Sequence, residues 1–242
     1  MGIILAYGGP FTGTRAVELS GKRRPHVLYF PTAQGDGSVG CQQQQTEFLD
    51  RLNCTFEIFW CMDVQPTRRQ IRARFDRADV IVVGGGNTLR MMRRWKFLGV
   101  DGELLRAYRQ GKVLSGGSAG SICWFQWGHS DSMHGYGHEP WDYIKVAGLG
   151  LLQGGHCPHY DQGDRRVKFH EMIRKTGGWG LALDEWAGLE VVDSKWRIIA
   201  DRASANAYAV FRRNGEAVEQ VAPKDGRYRP MDELYRLMRG EK

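Results

Sequence analysis

The sequence lacks the features that place a chain in a membrane or in a disulfide-rich scaffold. No apolar run approaches the ~20 residues that a helix needs to cross a bilayer. Residues Met1–Tyr7 have no basic region and only a short apolar stretch, unlike a signal peptide. The 5 cysteines form no C-x-x-C pair, which favours reduced thiols over disulfides or a structural zinc site. We therefore expect a soluble, cytoplasmic protein that does not act at a membrane.

Positive charge is the main compositional excess. The chain has 34 Lys and Arg against 27 Asp and Glu, a formal net charge of +7. Arginines cluster at 68–77 and 90–94 in segments with helical spacing, and no nucleic-acid-binding motif accompanies them. Solvated helix faces explain these clusters more simply than a nucleic-acid site, so we expect no nucleic-acid partner.

Short apolar runs alternate with amphipathic segments along the first half of the chain. The runs Ile3–Ala6, His26–Phe30, Val80–Val83 and Lys112–Ser115 are typical of strands. Continuous apolar strands separated by helices indicate a parallel sheet that is covered on both faces. Since crossovers are right-handed, the pattern predicts a doubly wound, mostly parallel three-layer α/β sandwich. Shorter runs after Gly148 predict closing strands and hairpins.

No linker rich in Pro, Gly or Ser divides the chain, and no internal repeat is present. Residues 1–242 are therefore predicted to form a single domain. The basic segment 221–242 leaves two alternatives open, because it could form a peripheral helix that docks on the domain or a frayed tail.

A G-x-S-x-G pattern follows the strand at Val113, in the segment Gly116-Gly117-Ser118-Ala119-Gly120. Between a strand and a helix this pattern is typical of a nucleophile elbow, whose small residues permit a strained turn that projects the Ser118 hydroxyl. The N–H of Ala119, at the start of the helix, is then expected to meet a developing oxyanion. The alternative is a glycine-rich turn in which Ser118 only caps the helix.

Two more glycine-rich segments follow predicted strands. The segment Gly84-Gly85-Gly86-Asn87-Thr88 lacks the lysine of a phosphate-binding loop, and its turn is expected to supply a second oxyanion N–H. Two alternatives are a phosphate cradle, which the pattern favours less, and a tight turn in which Asn87 or Thr88 caps the next helix. The segment 154–161 (GGHCPHYD) places His159 in a loop, where it can serve as the base that a serine nucleophile requires.

Taken together and in order, the motifs GGGNT, GGSAGSICWF, HCPHYD and LALDE resemble those of the S51 serine peptidases. This group contains peptidase E (aspartyl dipeptidase) and cyanophycinase, and the chain is most similar to its peptidase E-like branch. The resemblance extends from Ile3 to Phe211 and implies a class I glutamine amidotransferase-like (flavodoxin-like) fold, which agrees with the strand pattern. An amidotransferase would carry cysteine where this chain has Ser118.

The resemblance implies a catalytic triad with Ser118 as the nucleophile, His159 as the general base and Glu185 as the acidic member. Asp131 is the rival for the acidic position, because it lies near a family aspartate, and Asp184 directly precedes Glu185.

The resemblance also implies roles for backbone and substrate-binding groups. The oxyanion donors fall on the backbone of Gly86 and Ala119, and Asn87 and Arg166 are expected to contact the substrate. The arginine pair Arg165-Arg166 matches the aspartate-reading arginine of aspartyl dipeptidases only approximately. A strict preference for N-terminal aspartate is therefore not predicted.

We expect hydrolysis of short peptides, with Asp-X dipeptides among the candidates, through an acyl-enzyme and without a metal or other cofactor. One alternative is a cyanophycinase-like hydrolase of β-aspartyl links, and another is a non-catalytic small-molecule-binding protein on the same fold. A metal site formed by His129, His134, His138 and Glu139 is disfavoured, because the spacing matches no standard ligand pattern. Family analogy leaves a homodimer open.

Overall fold

A computed structural model describes residues 2–134 and 140–241. The strands are β1 (Ile3–Tyr7), β2 (His26–Phe30), β3 (Thr55–Ile58), β4 (Val80–Val83), β5 (Val113–Gly117), β6 (Phe125–Ser130), β7 (Ile144–Ala147), β8 (Leu152–Cys157), β9 (Trp179–Leu183), β10 (Ala187–Val192), β11 (Lys195–Ala200), β12 (Ala207–Arg213), β13 (Glu216–Val221) and β14 (Arg229–Pro230). The helices are α1 (Thr14–Leu19), α2 (Ser38–Gln45), α3 (Arg68–Arg77), α4 (Thr88–Leu98), α5 (Val100–Arg109), α6 (Ala119–Ile122), α7 (Arg165–Thr176) and α8 (Met231–Arg239), with a 3-10 turn at Thr32–Gln34 and a π-helical segment at Thr46–Arg51.

The larger sheet has the strand order β14-β11-β10-β1-β5-β4-β2-β3. The strands β1, β5, β4, β2 and β3 run parallel to their neighbours, whereas β10, β11 and β14 add to the β1 edge as antiparallel strands. Every residue of β4 and β5 is buried, as expected for central parallel strands with helices on both faces. The predicted α/β fold is confirmed.

A second sheet, in the order β13-β12-β9-β8-β6-β7, collects most of the remaining strands. Its central strands β6, β8 and β9 are parallel, and β7, β12 and β13 pair antiparallel at its edges. The sequence pattern after Gly148 indicated closing strands and hairpins but did not separate this sheet from the first. The carboxyl ends of β5 in the first sheet and of β8 and β9 in the second carry the residues of the candidate site.

Aromatic packing fixes the carboxyl end of β2. The Phe30 ring stacks on Phe59 with the ring centroids 4.6 Å apart and meets Trp95 of α4 edge-on at 5.6 Å. All three side chains are fully buried. Burial of a large apolar side chain contributes about 1.5–3 kcal/mol to stability, so this cluster holds the end of β2 firmly against α4.

A buried carboxylate ties the antiparallel strands to the parallel ones. Glu190 of β10 is fully buried and accepts hydrogen bonds from Arg15 Nε at 2.7 Å, from Arg197 Nε at 2.9 Å and from the Tyr228 hydroxyl. Although burial alone would raise the pKa of Glu190, these donors lower it to about 2. The charged group therefore links α1, β11 and the segment before β14 to one position on β10.

The C-terminal segment contains a docked helix. Leu234 and Met238 of α8 are fully buried, and the helix packs on β9 and β12. The assignment of residues 1–242 to a single domain remains a prediction. Within the described ranges, no helix combines the length and the apolarity that a membrane crossing requires.

Replacing Leu234 tests the docking of α8. We expect Leu234→Ala to lower the free energy of unfolding by about 2–4 kcal/mol, because it leaves a cavity beneath the helix. The control Arg236→Ala, on the exposed face of the same helix, should change it by about 0.5 kcal/mol or less. Urea unfolding measures both variants, and an equally small effect of both would contradict a docked helix.

Candidate active site

Ser118 occupies a strained turn at the end of β5. Its backbone angles are φ 56° and ψ −120°, outside the conformations that L-residues ordinarily adopt. A Cβ at Gly116 would lie 2.4 Å from the Gly120 carbonyl oxygen, and one at Gly117 would lie 2.2 Å from the Gly9 carbonyl oxygen. Only glycine fits at these two positions, and the turn leaves the Ser118 side chain half-buried at the cavity described below. This geometry matches the elbow that the G-x-S-x-G pattern predicts.

Free backbone N–H groups lie on both sides of the serine turn. Gly85 adjoins Ser118, since a Cβ at Gly85 would lie 3.2 Å from the Ser118 Cβ. Gly86 has φ 125°, and a Cβ there would lie 2.4 Å from the Ala33 carbonyl oxygen. The N–H groups of Gly86 and Ala119 have no hydrogen-bond acceptor among the residues that the structure describes. They are therefore available to an anionic ligand, although an oxyanion role for them remains a prediction.

The side chains of His159 and Glu185 form a hydrogen-bonded pair. His159 follows β8 with φ 52°, and its Nδ1 hydrogen-bonds to Glu185 Oε2. The backbone N–H of His159 donates to the Gly8 carbonyl oxygen at 3.2 Å, and that of Glu185 donates to Asp161 Oδ1 at 2.7 Å. With Nδ1–H donating to the carboxylate, Nε2 of the neutral ring is left as an acceptor.

Gly8 and Gly9, which follow β1, permit the two halves of the site to meet. A Cβ at Gly8 would lie 2.0 Å from the Asp184 carbonyl oxygen, and one at Gly9 would lie 2.5 Å from Glu185 Cδ. The Gly8-Gly9 pair was not singled out in the sequence. A glycine pair directly after a first parallel strand was the available signal for a close approach of backbones.

Ser118, His159 and Glu185 line one cavity of about 440 Å³. Its other lining residues include Phe11, Tyr29 and three glutamines, which are Gln34, Gln43 and Gln44. The structure therefore brings together the nucleophile, the base and the acid that the family resemblance implies. Serine, histidine and a carboxylate that hydrogen-bonds to the histidine are the residue types used in acyl transfer, and their catalytic roles in this chain remain predictions.

The rival acids are engaged elsewhere. Asp131 forms an ion pair with Arg165, and Asp184 accepts a hydrogen bond from the Asn206 backbone N–H at 2.8 Å. Burial raises the pKa of Asp184. Of the three candidate acids, only Glu185 hydrogen-bonds to His159 in the described structure.

The two predicted substrate-binding side chains do not line the cavity. Asn87 Oδ1 caps α4 by accepting from the Arg90 N–H at 2.9 Å, and its Nδ2 donates to the Ser132 carbonyl oxygen at 2.8 Å. Arg166 forms an ion pair with Glu219 on an exposed face of α7. Their substrate-binding roles remain predictions that this geometry does not support.

His156, which was not singled out in the sequence, is connected to the turn at Ser118 through the hydroxyl of Ser121. Its Nδ1–H donates to the Leu181 carbonyl oxygen at 2.9 Å, and its Nε2 lies 2.8 Å from Ser121 Oγ. The same Ser121 hydroxyl lies 2.7 Å from the carbonyl oxygen of Ser118. Burial lowers the pKa of His156 to about 3, so the ring is neutral at ordinary pH.

The alternative metal site lies partly outside the described residues, because His138 and Glu139 are not among them. In the rest of the chain, no group of three or more His, Cys, Asp or Glu side chains is arranged to hold a metal ion. His129 is fully buried, with its Nδ1 3.5 Å from Cys157 Sγ.

Comparison with known proteins identifies peptidases. The model of peptidase family S51 matches residues 13–199. A protein of Bacillus subtilis (strain 168) named "Uncharacterized peptidase YgaJ" is 34% identical over 209 residues, which cover 84% of this chain and 86% of that protein.

Two solved structures share the fold. A peptidase from an acI-B1 Actinobacterium has a TM-score of 0.68 and 16% identity, covering 95% of this chain and 97% of that one. A peptidase E-type protein from Listeria monocytogenes EGD-e has a TM-score of 0.65 and 15% identity, covering 84% of this chain and 100% of that one. At these identities the likeness supports the fold alone.

The buried His156 predicts a pH dependence of stability. In the unfolded chain its pKa is about 6.5, so as pH falls from 7 to 5 the unfolded state takes up a proton that the folded state does not. This uptake lowers the wild-type free energy of unfolding, and we expect His156→Gln to reduce the loss by about 2 kcal/mol. Urea unfolding at both pH values measures this effect.

The exposed His134 provides the control, since His134→Gln should leave the wild-type dependence unchanged. An unaltered pH dependence in His156→Gln would contradict a neutral, buried imidazole behind the elbow.

Proposed function

The chain belongs to peptidase family S51, and on that premise we propose that it is a serine peptidase acting on short peptides through an acyl-enzyme on Ser118. One observation carries this proposal. Ser118, in its strained turn, lines the same cavity as a histidine that is hydrogen-bonded to a carboxylate. Serine needs an adjacent base to become a nucleophile, and the base needs an orienting partner.

In the proposed reaction, Nε2 of His159 takes the Ser118 hydroxyl proton while Oγ attacks the carbonyl carbon of the scissile peptide bond. The tetrahedral intermediate then expels the amine, which leaves with the proton that His159 returns. Water, deprotonated by the same nitrogen, attacks the acyl-enzyme and releases the carboxylic acid product together with the free serine hydroxyl. The triad itself is regenerated, and the net reaction is hydrolysis of one peptide bond.

In this proposal, Glu185 and two backbone N–H groups stabilise the charges that develop during the reaction. The Glu185 carboxylate holds the proton on Nδ1 of His159 and stabilises the imidazolium that forms during attack. The free N–H groups of Gly86 and Ala119 donate hydrogen bonds to the substrate oxygen and stabilise the negative charge that develops on it. In other acyl-transfer enzymes, loss of one such donor lowers the rate on the order of 10²–10³-fold.

The volume and the lining of the cavity favour a short peptide as the substrate. The cavity volume is about 440 Å³. Pockets that bind small molecules have volumes of roughly 300–1,000 Å³, so this cavity falls within that range. Of the described side chains that line it, the only carboxylate is Glu185, which is bound to His159. Nothing in this lining favours the basic β-aspartyl-arginine unit that a cyanophycinase-like enzyme would take.

Removal of the nucleophile tests the proposal. We expect wild-type protein to hydrolyse members of a panel of dipeptides and tripeptides in the presence of EDTA, and Ser118→Ala to lose at least about 10³-fold in kcat/KM. Release of the free amino group measures turnover. Undiminished turnover by Ser118→Ala would contradict the serine mechanism, and absence of turnover by the wild type would favour a binding protein on this fold.

The choice of acid is tested by paired isosteric variants. We expect Glu185→Gln to lower kcat by about 10³–10⁴-fold, because an amide cannot hold the required imidazole tautomer and charge. Asp131→Asn, which alters a partly exposed ion pair with Arg165, should change kcat by about twofold or less. The reverse order of effects in the same peptide assay would assign the acidic role to Asp131.

A further inference from the structure

The side chain of Tyr29 is buried in the fold and contributes to the wall of the candidate site. Tyr29 lies on β2, is 2% exposed and lines the cavity that contains Ser118. Its hydroxyl forms no hydrogen bond with any described residue. This hydroxyl is therefore available to donate a hydrogen bond to a ligand that enters the cavity.

The absence of a side chain at Gly84 leaves the space that the Tyr29 hydroxyl occupies. A Cβ at Gly84 would lie 2.6 Å from the Tyr29 hydroxyl oxygen, and the next residue, Gly85, adjoins Ser118. The phenol and the nucleophile therefore lie along one short wall of the cavity. Burial raises the pKa of Tyr29, which keeps the hydroxyl protonated and able to donate at neutral pH.

The cavity lining is also rich in carboxamides. Gln34, Gln43 and Gln44 line the cavity, and Oε1 of Gln44 is buried without a hydrogen-bond partner among the described residues. A carboxamide both donates and accepts hydrogen bonds. Together with the Tyr29 hydroxyl, these groups can bind a neutral polar side chain.

The described lining contains no lysine or arginine. Two arginines on helices that follow lining segments are otherwise engaged, since Arg90 donates to the Ala33 carbonyl oxygen and Arg166 is paired with Glu219. Glu185, the carboxylate in the described lining, would repel an anionic substrate side chain. Burial of a carboxylate without a cation is strongly unfavourable.

We propose that Tyr29 and Gln44 form a specificity subsite that favours peptides with an uncharged, hydrogen-bonding side chain, such as asparagine, over peptides with aspartate in the residue that acylates Ser118. This inference rests on the proposed function, since it names the substrate class of the same site. Tyr29 acts here as a specificity-determining residue and takes no part in proton transfer.

Three isosteric substrates test the proposal. Asn, Asp and Leu have side chains of similar shape, so the dipeptides Asn-X, Asp-X and Leu-X with the same X differ in hydrogen bonding and charge at one position. For the wild type we expect kcat/KM for Asn-X to exceed that for Asp-X by at least about tenfold.

The variant Tyr29→Phe removes the hydroxyl and keeps the ring, so it tests substrate binding without emptying the buried position. We expect Tyr29→Phe to lower kcat/KM for Asn-X by about threefold to tenfold, mainly through KM, and to leave Leu-X within about twofold. Tyr108→Phe is the matched control, since the hydroxyl of this half-buried residue on α5 also has no hydrogen-bond partner among the described residues and does not line the cavity. Gln44→Arg, which adds a cation to the lining, should raise the ratio of Asp-X to Asn-X turnover.

The outcomes distinguish this inference from the proposed function. A wild-type preference for Asp-X, or an equal loss of Asn-X and Leu-X turnover in Tyr29→Phe, would overturn the subsite while Ser118-dependent hydrolysis stands. Turnover that survives Ser118→Ala would overturn the serine mechanism and, with it, the subsite.

Discussion

The architecture of the site depends on the close approach of backbones at the carboxyl ends of β1, β4 and β5. Glycines at 8, 9, 116 and 117 place main-chain atoms where any Cβ would overlap a neighbouring carbonyl group or side chain. Because β1 and β5 pair in register up to Tyr7 and Gly117, the loop after β1 lies directly beside the serine turn. That loop also accepts the backbone hydrogen bond of His159 from the second sheet. One steric constraint therefore connects Ser118 to His159.

The local parts of this arrangement were predictable from the sequence. The four-residue apolar strand Val80–Val83 and the strand–turn pattern around Ser118 carry their own structural signals, and the motif order added His159 and Glu185. The contribution of His156 was not predictable, because it depends on contacts with Ser121 and Leu181, which are far away in sequence. Similarly, the helix predicted after Ser118 is only one turn long, since α6 ends at Ile122 and the strand β6 starts at Phe125.

Charge is distributed differently on the surface and in the site. The arginine cluster on α3 is partnered by carboxylates, as Arg74 and Arg77 pair with Glu57 and Arg72 pairs with Glu103. The interpretation of the arginine clusters as solvated helix faces remains a prediction. By contrast, the described cavity lining holds one ionisable pair, His159 hydrogen-bonded to Glu185, among neutral side chains. The net positive charge of the chain is thus not directed into the site.

The most direct measurement of the central claim is covalent labelling with a fluorophosphonate, followed by peptide mass spectrometry. We predict a single adduct on Ser118, formed at least about 10²-fold more slowly in His159→Gln, because the hydroxyl then lacks its base. Wild-type protein that stays unlabelled, or is labelled equally fast without His159, would contradict the account of Ser118 as an activated nucleophile.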